Sequence, residues 1–168
     1  MGTYNSLEAF KSLVDRSITE VTADMLEGVT NIWNSAFSNC YSLTSITIPE
    51  GVTRIGHNAF SNCYSLPSIT IPEGVASIGD SAFNYCTSLP SITIPESMAN
   101  IGYMCFYGCN RLASITVRAT TPPTSAYGVF QNTSSSLIIY VPAASVDTYK
   151  AATNWSTYAS RIQAISSN

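Results

Sequence analysis

A chain of 168 residues is one domain's worth and long enough to bury a core. Only 10 % of its residues are charged and the formal net charge is −3, so Ser, Thr, Asn and Tyr must cover much of the surface. Seven scattered basic residues make no phosphate-binding cluster, which argues against nucleic acid, and no apolar run reaches the length of a membrane span.

In chain order, the opening residues lack the charged-then-apolar pattern of a secretory signal. Leu7, Phe10, Leu13 and Val14 follow helical spacing and predict an amphipathic helix within an N-terminal cap, residues 1–28. Four full units of 23 residues follow over 29–120: Val29–Gly51, Val52–Gly74, Val75–Ser97 and Met98–Thr120. Down the columns stand Ile32, Ile55, Ile78 and Ile101, then Phe37, Phe60, Phe83 and Phe106, then Leu43, Leu66, Leu89 and Leu112. A degenerate fifth unit carries Phe130 in the Phe column and "LIIYVP", Leu137–Pro142, where the others have "SITIP".

Within a unit, "SITI" alternates polar and β-branched apolar residues and predicts a short strand. Pro49, Pro72 and Pro95 close it, while Pro67 and Pro90 stand at its first residue, where a missing donor is tolerated. The stretch from "IG" to the cysteine predicts a short helical or 3-10 turn. About seven inward apolar side chains at roughly 2 kcal/mol each fall short of ordering 23 backbones at about 1–2 kcal/mol apiece, so a unit needs neighbours. Stacked units share one core and pair strands edge to edge. The stack is closed by residues 121–168, where Val146, Tyr149, Trp155, Tyr158, Ile162 and Ile165 predict a helix and a shorter helical segment over the last coil. The whole reads as a single domain.

Several columns invite chemistry. Cys40, Cys63, Cys86 and Cys109 fall 23 apart. One strand spacing permits a disulfide, but parallel Cβ directions disfavour it, and zinc needs converging ligands, so free buried thiols are expected, with a thermal midpoint indifferent to reductant. His57 shares its column with Asn34, Asp80 and Tyr103 and has no nucleophile or acid set around it, so it reads as a surface histidine. Glu50, Glu73 and Glu96 form a row of equivalent exposed acids, which suits turn chemistry, with weak Ca²⁺ binding as the alternative. No phosphate-binding loop or metal-spaced cluster appears, and neither a cofactor nor an enzymatic activity is expected.

If the "SITI" isoleucines point inward, Ser45, Thr47, Ser68, Thr70, Ser91, Thr93, Ser114 and Thr116 point outward. Threonine fills exposed strand sites for structural reasons, yet the same row of donors and acceptors would dock a protein or glycan. Ordering of water, as in ice-binding solenoids, is a third reading. Tyr41, Tyr64, Tyr85, Tyr107 and Tyr127 offer aromatic contacts near the turns instead.

"LTSITIPEGVTRIGHNAFSNC" resembles the leucine-rich repeat of the BspA-like bacterial surface proteins, and "LIIYVPAASVDTYKAATNWSTYASRIQAI" looks like the segment that closes such arrays. The likeness runs from about Ser17 to Ile165. Trp33 departs from it in place of Gly56, Gly79 and Gly102, as does Cys105 in place of Ala36, Ala59 and Ala82. The resemblance implies an α/β repeat: a right-handed leucine-rich-repeat solenoid with parallel strands on the concave face, short helical turns on the convex face and helical caps. It also implies a cell-surface or extracellular, non-catalytic adhesion module that binds a protein or glycan on a host or neighbouring cell. The alternative is a structural spacer or assembly component, for example of a phage-like particle.

Overall fold

The computed structural model describes residues 15–167. The helix expected at Leu7 to Val14 lies outside them. Short parallel strands follow in chain order: β1 (Glu20–Val21), β2 (Asn31–Ile32), β3 (Ser45–Ile46), β4 (Arg54–Ile55), β5 (Ser77–Ile78) and β6 (Ser91–Ile94). Beyond them come β7 (Asn100–Ile101), β8 (Ser114–Val117), β9 (Thr124–Ser125), β10 (Ile138–Val141) and β11 (Ile162–Ala164), with helix α1 (Val146–Ala151) before the last. They make a repeat solenoid in which each 23-residue unit is one coil.

Three rows of hydrogen bonds hold coil to coil. The first is the continuous ladder β2-β4-β5-β7-β9, which pairs Ile32, Ile55, Ile78 and Ile101 in register. Its two-residue strands are too short to show an alternation in the sequence, and this row was not anticipated. The second runs along the turns, where each coil donates three N–H groups to the next, as in Asn58 to Asp80, Phe60 to Ala82 and Asn62 to Asn84 at 2.7–2.9 Å. Left-handed residues make this row possible. Ser35, Asn58, Ser81 and Met104 recur at one position with φ between 50° and 57°, and Asn39, Asn62, Tyr85 and Gly108 at another. They separate single hydrogen-bonded turns, such as Ala36 N–H to Trp33 O and Cys40 N–H to Phe37 O, so the turns do not grow into longer helices.

The third row is the "SITI" ladder, and it is interrupted. β1 pairs with β3, and β6, β8, β10 and β11 pair in sequence, but Ser68–Ile71 forms no strand. The reason is visible at the row's entry. Thr44 N–H donates to Thr19 O at 2.9 Å and Ala113 N–H to Pro90 O at 2.9 Å, and both those junctions are laddered. At the two junctions between them the equivalent residues are Pro67 and Pro90, which have no N–H. The expectation that these prolines would be tolerated within a ladder is therefore corrected: coil 2 stands unpaired on this face.

Burial is not interrupted. Phe37, Phe60, Phe83, Phe106 and Phe130 stack in one column with ring centroids 5.2–5.9 Å apart and planes within 12°. Trp155 and Tyr158 meet the last ring at 5.9 and 5.2 Å and end the column. The closing segment is anchored by Tyr149, whose hydroxyl donates to Ala119 O at 2.6 Å, and by Trp155, whose Nε1 donates to Pro123 O at 2.8 Å. Ile162 does not continue a helix but lies in β11, extending the "SITI" ladder into the cap.

Candidate functional site

The structure places Ser45, Thr47, Ser68, Thr70, Ser91 and Thr93 exposed on the strand face, with Ser114 and Thr116 half-buried. Register aligns Ser91 with Ser114 and Thr93 with Thr116, then carries the threonine column on to Tyr140 and Gln163. The isoleucines between them, Ile46, Ile69, Ile92 and Ile115, are buried, as the alternation requires.

At the interrupted coils this face opens into a cavity of about 400 Å³. Ser68, Thr70, Ser91, Thr93, Glu50, Glu73 and Arg118 line it, together with the isoleucines and prolines of the same strands. Arg118 reaches back across the third coil to Glu73, Nη1 to Oε1 3.7 Å, an exposed pair of small energetic weight that walls one side. Sequence reasoning missed both the opening and Arg118. Its signal was the pair of successive prolines at a donor position.

The His57 and cysteine columns link coil to coil. Asn34 Oδ1 accepts the N–H of His57 at 2.8 Å, His57 Nδ1 accepts that of Asp80 at 2.9 Å, and Asp80 Oδ1 accepts that of Tyr103 at 2.8 Å. An Nδ1 used as an acceptor carries no proton, so the 3.5 Å approach of Asp80 Oδ2 to the same atom is not an ion pair in this state. His57 is thus a half-exposed coil connector rather than an idle surface residue. The cysteines are unbridged and buried. Cys63, Cys86 and Cys109 each donate Sγ–H to the carbonyl of Phe37, Phe60 and Phe83 in the preceding coil, at 3.3, 3.3 and 3.0 Å. Burial pushes the Cys63 thiol up to about 12 and raises that of Cys105; Cys86 is raised by the neighbouring Cys109 thiol and by burial. Such thiols stay protonated and unreactive. Tyr41 and Tyr64 stack at 5.2 Å near the turns, and Tyr85 meets Tyr107 edge-on at 5.6 Å. Tyr127 stacks instead with Tyr103, which sequence reasoning had not grouped with it.

The 23-residue register, the buried columns and the parallel rows agree with the profile of the BspA-type leucine-rich repeat region, which matches residues 8–151 in six copies. The chain belongs to that family. Six copies extend the array beyond the four full units and the degenerate fifth, in keeping with the pairing of β1 to β3. Among solved structures, the leucine-rich repeat protein TpLRR of T. pallidum is similar at 29 % identity and a TM-score of 0.66. That match covers 76 % of this chain and 59 % of that one. A leucine-rich repeat protein from Bacteroides ovatus matches at 31 % identity and a TM-score of 0.45, over 75 % of this chain and 40 % of its own. A leucine-rich cell surface protein of Faecalibacterium prausnitzii matches at 22 % identity and a TM-score of 0.38, over 89 % and 60 %. The chain therefore spans less than two thirds of each of these proteins. No curated protein matches it. BspA-type repeats are generally interaction or surface modules, commonly surface-associated and generally non-catalytic. Among the described residues, no helix is long and apolar enough to cross a membrane.

Proposed function

We propose that this repeat array is a non-catalytic recognition module of bacterial cell-surface type, binding a protein or glycan through its hydroxyl-bearing strand face. The observation that carries the reading is the open hydroxyl row itself: Ser45, Thr47, Ser68, Thr70, Ser91 and Thr93 are exposed together, and the last four line a groove. A row of groups that both donate and accept suits a polar partner better than it suits solvent alone. His57, which could have suggested a catalytic base, is already engaged in holding coils together. The triple variant Thr47→Lys, Thr70→Lys, Thr93→Lys tests the assignment. These are exposed strand positions, so folding should persist while binding to host cells or mucin is lost. Binding that survives the three lysines would move the site to the tyrosine-bearing turns, and a wild-type chain that binds nothing would make the array a spacer.

A further inference from the structure

Three features coincide at coils 2 and 3. Two consecutive units begin their strand with proline, the ladder lapses at both of those junctions and not at their flanking ones, and the face opens there into the 400 Å³ groove. The lapse exposes main-chain groups. In the register by which Thr47 N–H meets Val21 O at 2.9 Å, the N–H groups of Thr70 and Thr93 face the preceding coil, and neither meets an acceptor in it. Strand amides left without a protein partner at the edge of an open groove must be satisfied by water or by a ligand.

From this the geometry points to a site for a short segment of neutral oligosaccharide, held on the strand face over coils 1 to 3. The assignment rests on the recognition reading above and narrows it to one ligand class and one place. The lining sets the chemistry. Ser68, Thr70, Ser91 and Thr93 give and take hydrogen bonds, and the Thr70 and Thr93 amides donate. Glu50 and Glu73 accept from ligand hydroxyls. An anionic ligand is disfavoured, because two carboxylates, Glu50 and Glu73, line the groove beside one cation, Arg118, and the chain carries a net charge of −3. A greasy ligand is disfavoured because Ile69, Ile71 and Ile92, though they line the groove, are nearly fully buried and leave hydroxyls and carboxylates to supply most of its accessible surface. The volume sits within the range of small-ligand sites, about 300–1,000 Å³, and is too small for a folded domain.

The array supplies its own control. Thr44 and Ala113 occupy the proline position in the laddered units, so the double variant Pro67→Thr, Pro90→Ala restores both missing donors. Ladder closure is read by amide hydrogen exchange, where Thr70 and Thr93 should pass from fast to protected. Binding is read on immobilised neutral oligosaccharides (β-linked glucose, galactose and N-acetylglucosamine oligomers) beside sialylated glycans, extended peptides and mucin protein backbone. Wild type should hold at least one neutral oligomer, with a loss of tenfold or more in the proline variant and in Thr70→Ala, Thr93→Ala. Binding only to peptides or deglycosylated protein, or only to sialylated glycans, overturns this assignment while leaving the recognition reading intact. Undiminished glycan binding by a variant whose Thr70 and Thr93 amides have become protected also overturns it. Binding to no probe at all sinks both.

Discussion

Gly79→Ala tests how closely the coils are packed. A Cβ built on Gly79 would lie 2.5 Å from His57 N, 2.7 Å from Gly56 C and 2.9 Å from His57 Cα. Favourable carbon contacts begin at about 3.5 Å, and all three of these atoms are main chain, so no side chain can swing aside. Gly79 has no left-handed φ, so the glycine serves close approach and not backbone freedom. Relief requires moving coils 2 and 3 apart by about 1 Å, which would stretch Gly79 N–H to Ile55 O, now 2.8 Å, and Asp80 N–H to His57 Nδ1, now 2.9 Å, out of bonding range. Overpacking at about 1–3 kcal/mol and two hydrogen bonds at about 1 kcal/mol each give a loss of about 3–5 kcal/mol. At about 2–4 °C per kcal/mol for a chain of this size, the melting temperature should fall by about 6–20 °C.

Two other glycines separate the causes. Gly51 has nothing within 4 Å of its Cβ position and no positive φ, so Gly51→Ala should be neutral or stabilise by up to about 1 kcal/mol. Gly74 has equal room but a φ of +97°, so Gly74→Ala should cost about 1–2 kcal/mol from backbone strain alone. Denaturant titrations of the three variants should rank them Gly79, Gly74, Gly51. A Gly79→Ala protein as stable as wild type, or one no worse than Gly74→Ala, would refute the close-approach argument.

Further outcomes follow from the columns. The Cys63 thiol sits near 12 when folded against an ordinary value of 9.0, so its neutral form favours the fold. That stability is complete below about pH 9 and is lost as pH rises toward 12; alkaline denaturation should be shallower in Cys63→Ala, and reductant should leave the wild-type melting temperature unchanged. Replacing His57 by Asn keeps an acceptor of the Asn34 kind and should be silent, whereas Leu should cost about 0.5–1.5 kcal/mol in urea unfolding. Tyr149→Phe strands the buried Ala119 carbonyl and should lower stability by about 1–3 kcal/mol, measured the same way.

What the sequence made legible was whatever repeats in kind. Isoleucine, phenylalanine, leucine and cysteine return every 23 residues because each fills the same volume against its own copy, so the stack and its outward hydroxyls could be read directly. The column of Asn34, His57 and Asp80 was obscure because its members share a role and not an identity: each presents an acceptor to the next coil's N–H. The ladder through Arg54–Ile55 and Ser77–Ile78 left no periodic trace in two-residue strands. The groove was written in Pro67 and Pro90: one such proline opens a single junction, and only their succession isolates a coil on both sides.

That isolation leaves the fold intact because burial and hydrogen bonding are carried by different parts of the coil. Phe60, Leu66, Ile69 and Ile71 of the unpaired unit remain within 8 % of full burial. The turn row still binds that unit at 2.7–2.9 Å, and the Arg54–Ile55 ladder still pairs it on both sides. Releasing the third row therefore sacrifices a few bonds of about 1 kcal/mol each without uncovering the core. The same 23-residue text becomes closed wall with Thr44 at the strand entry and open groove with Pro67. In a longer array of this family, groove position would be set by where successive units carry proline there.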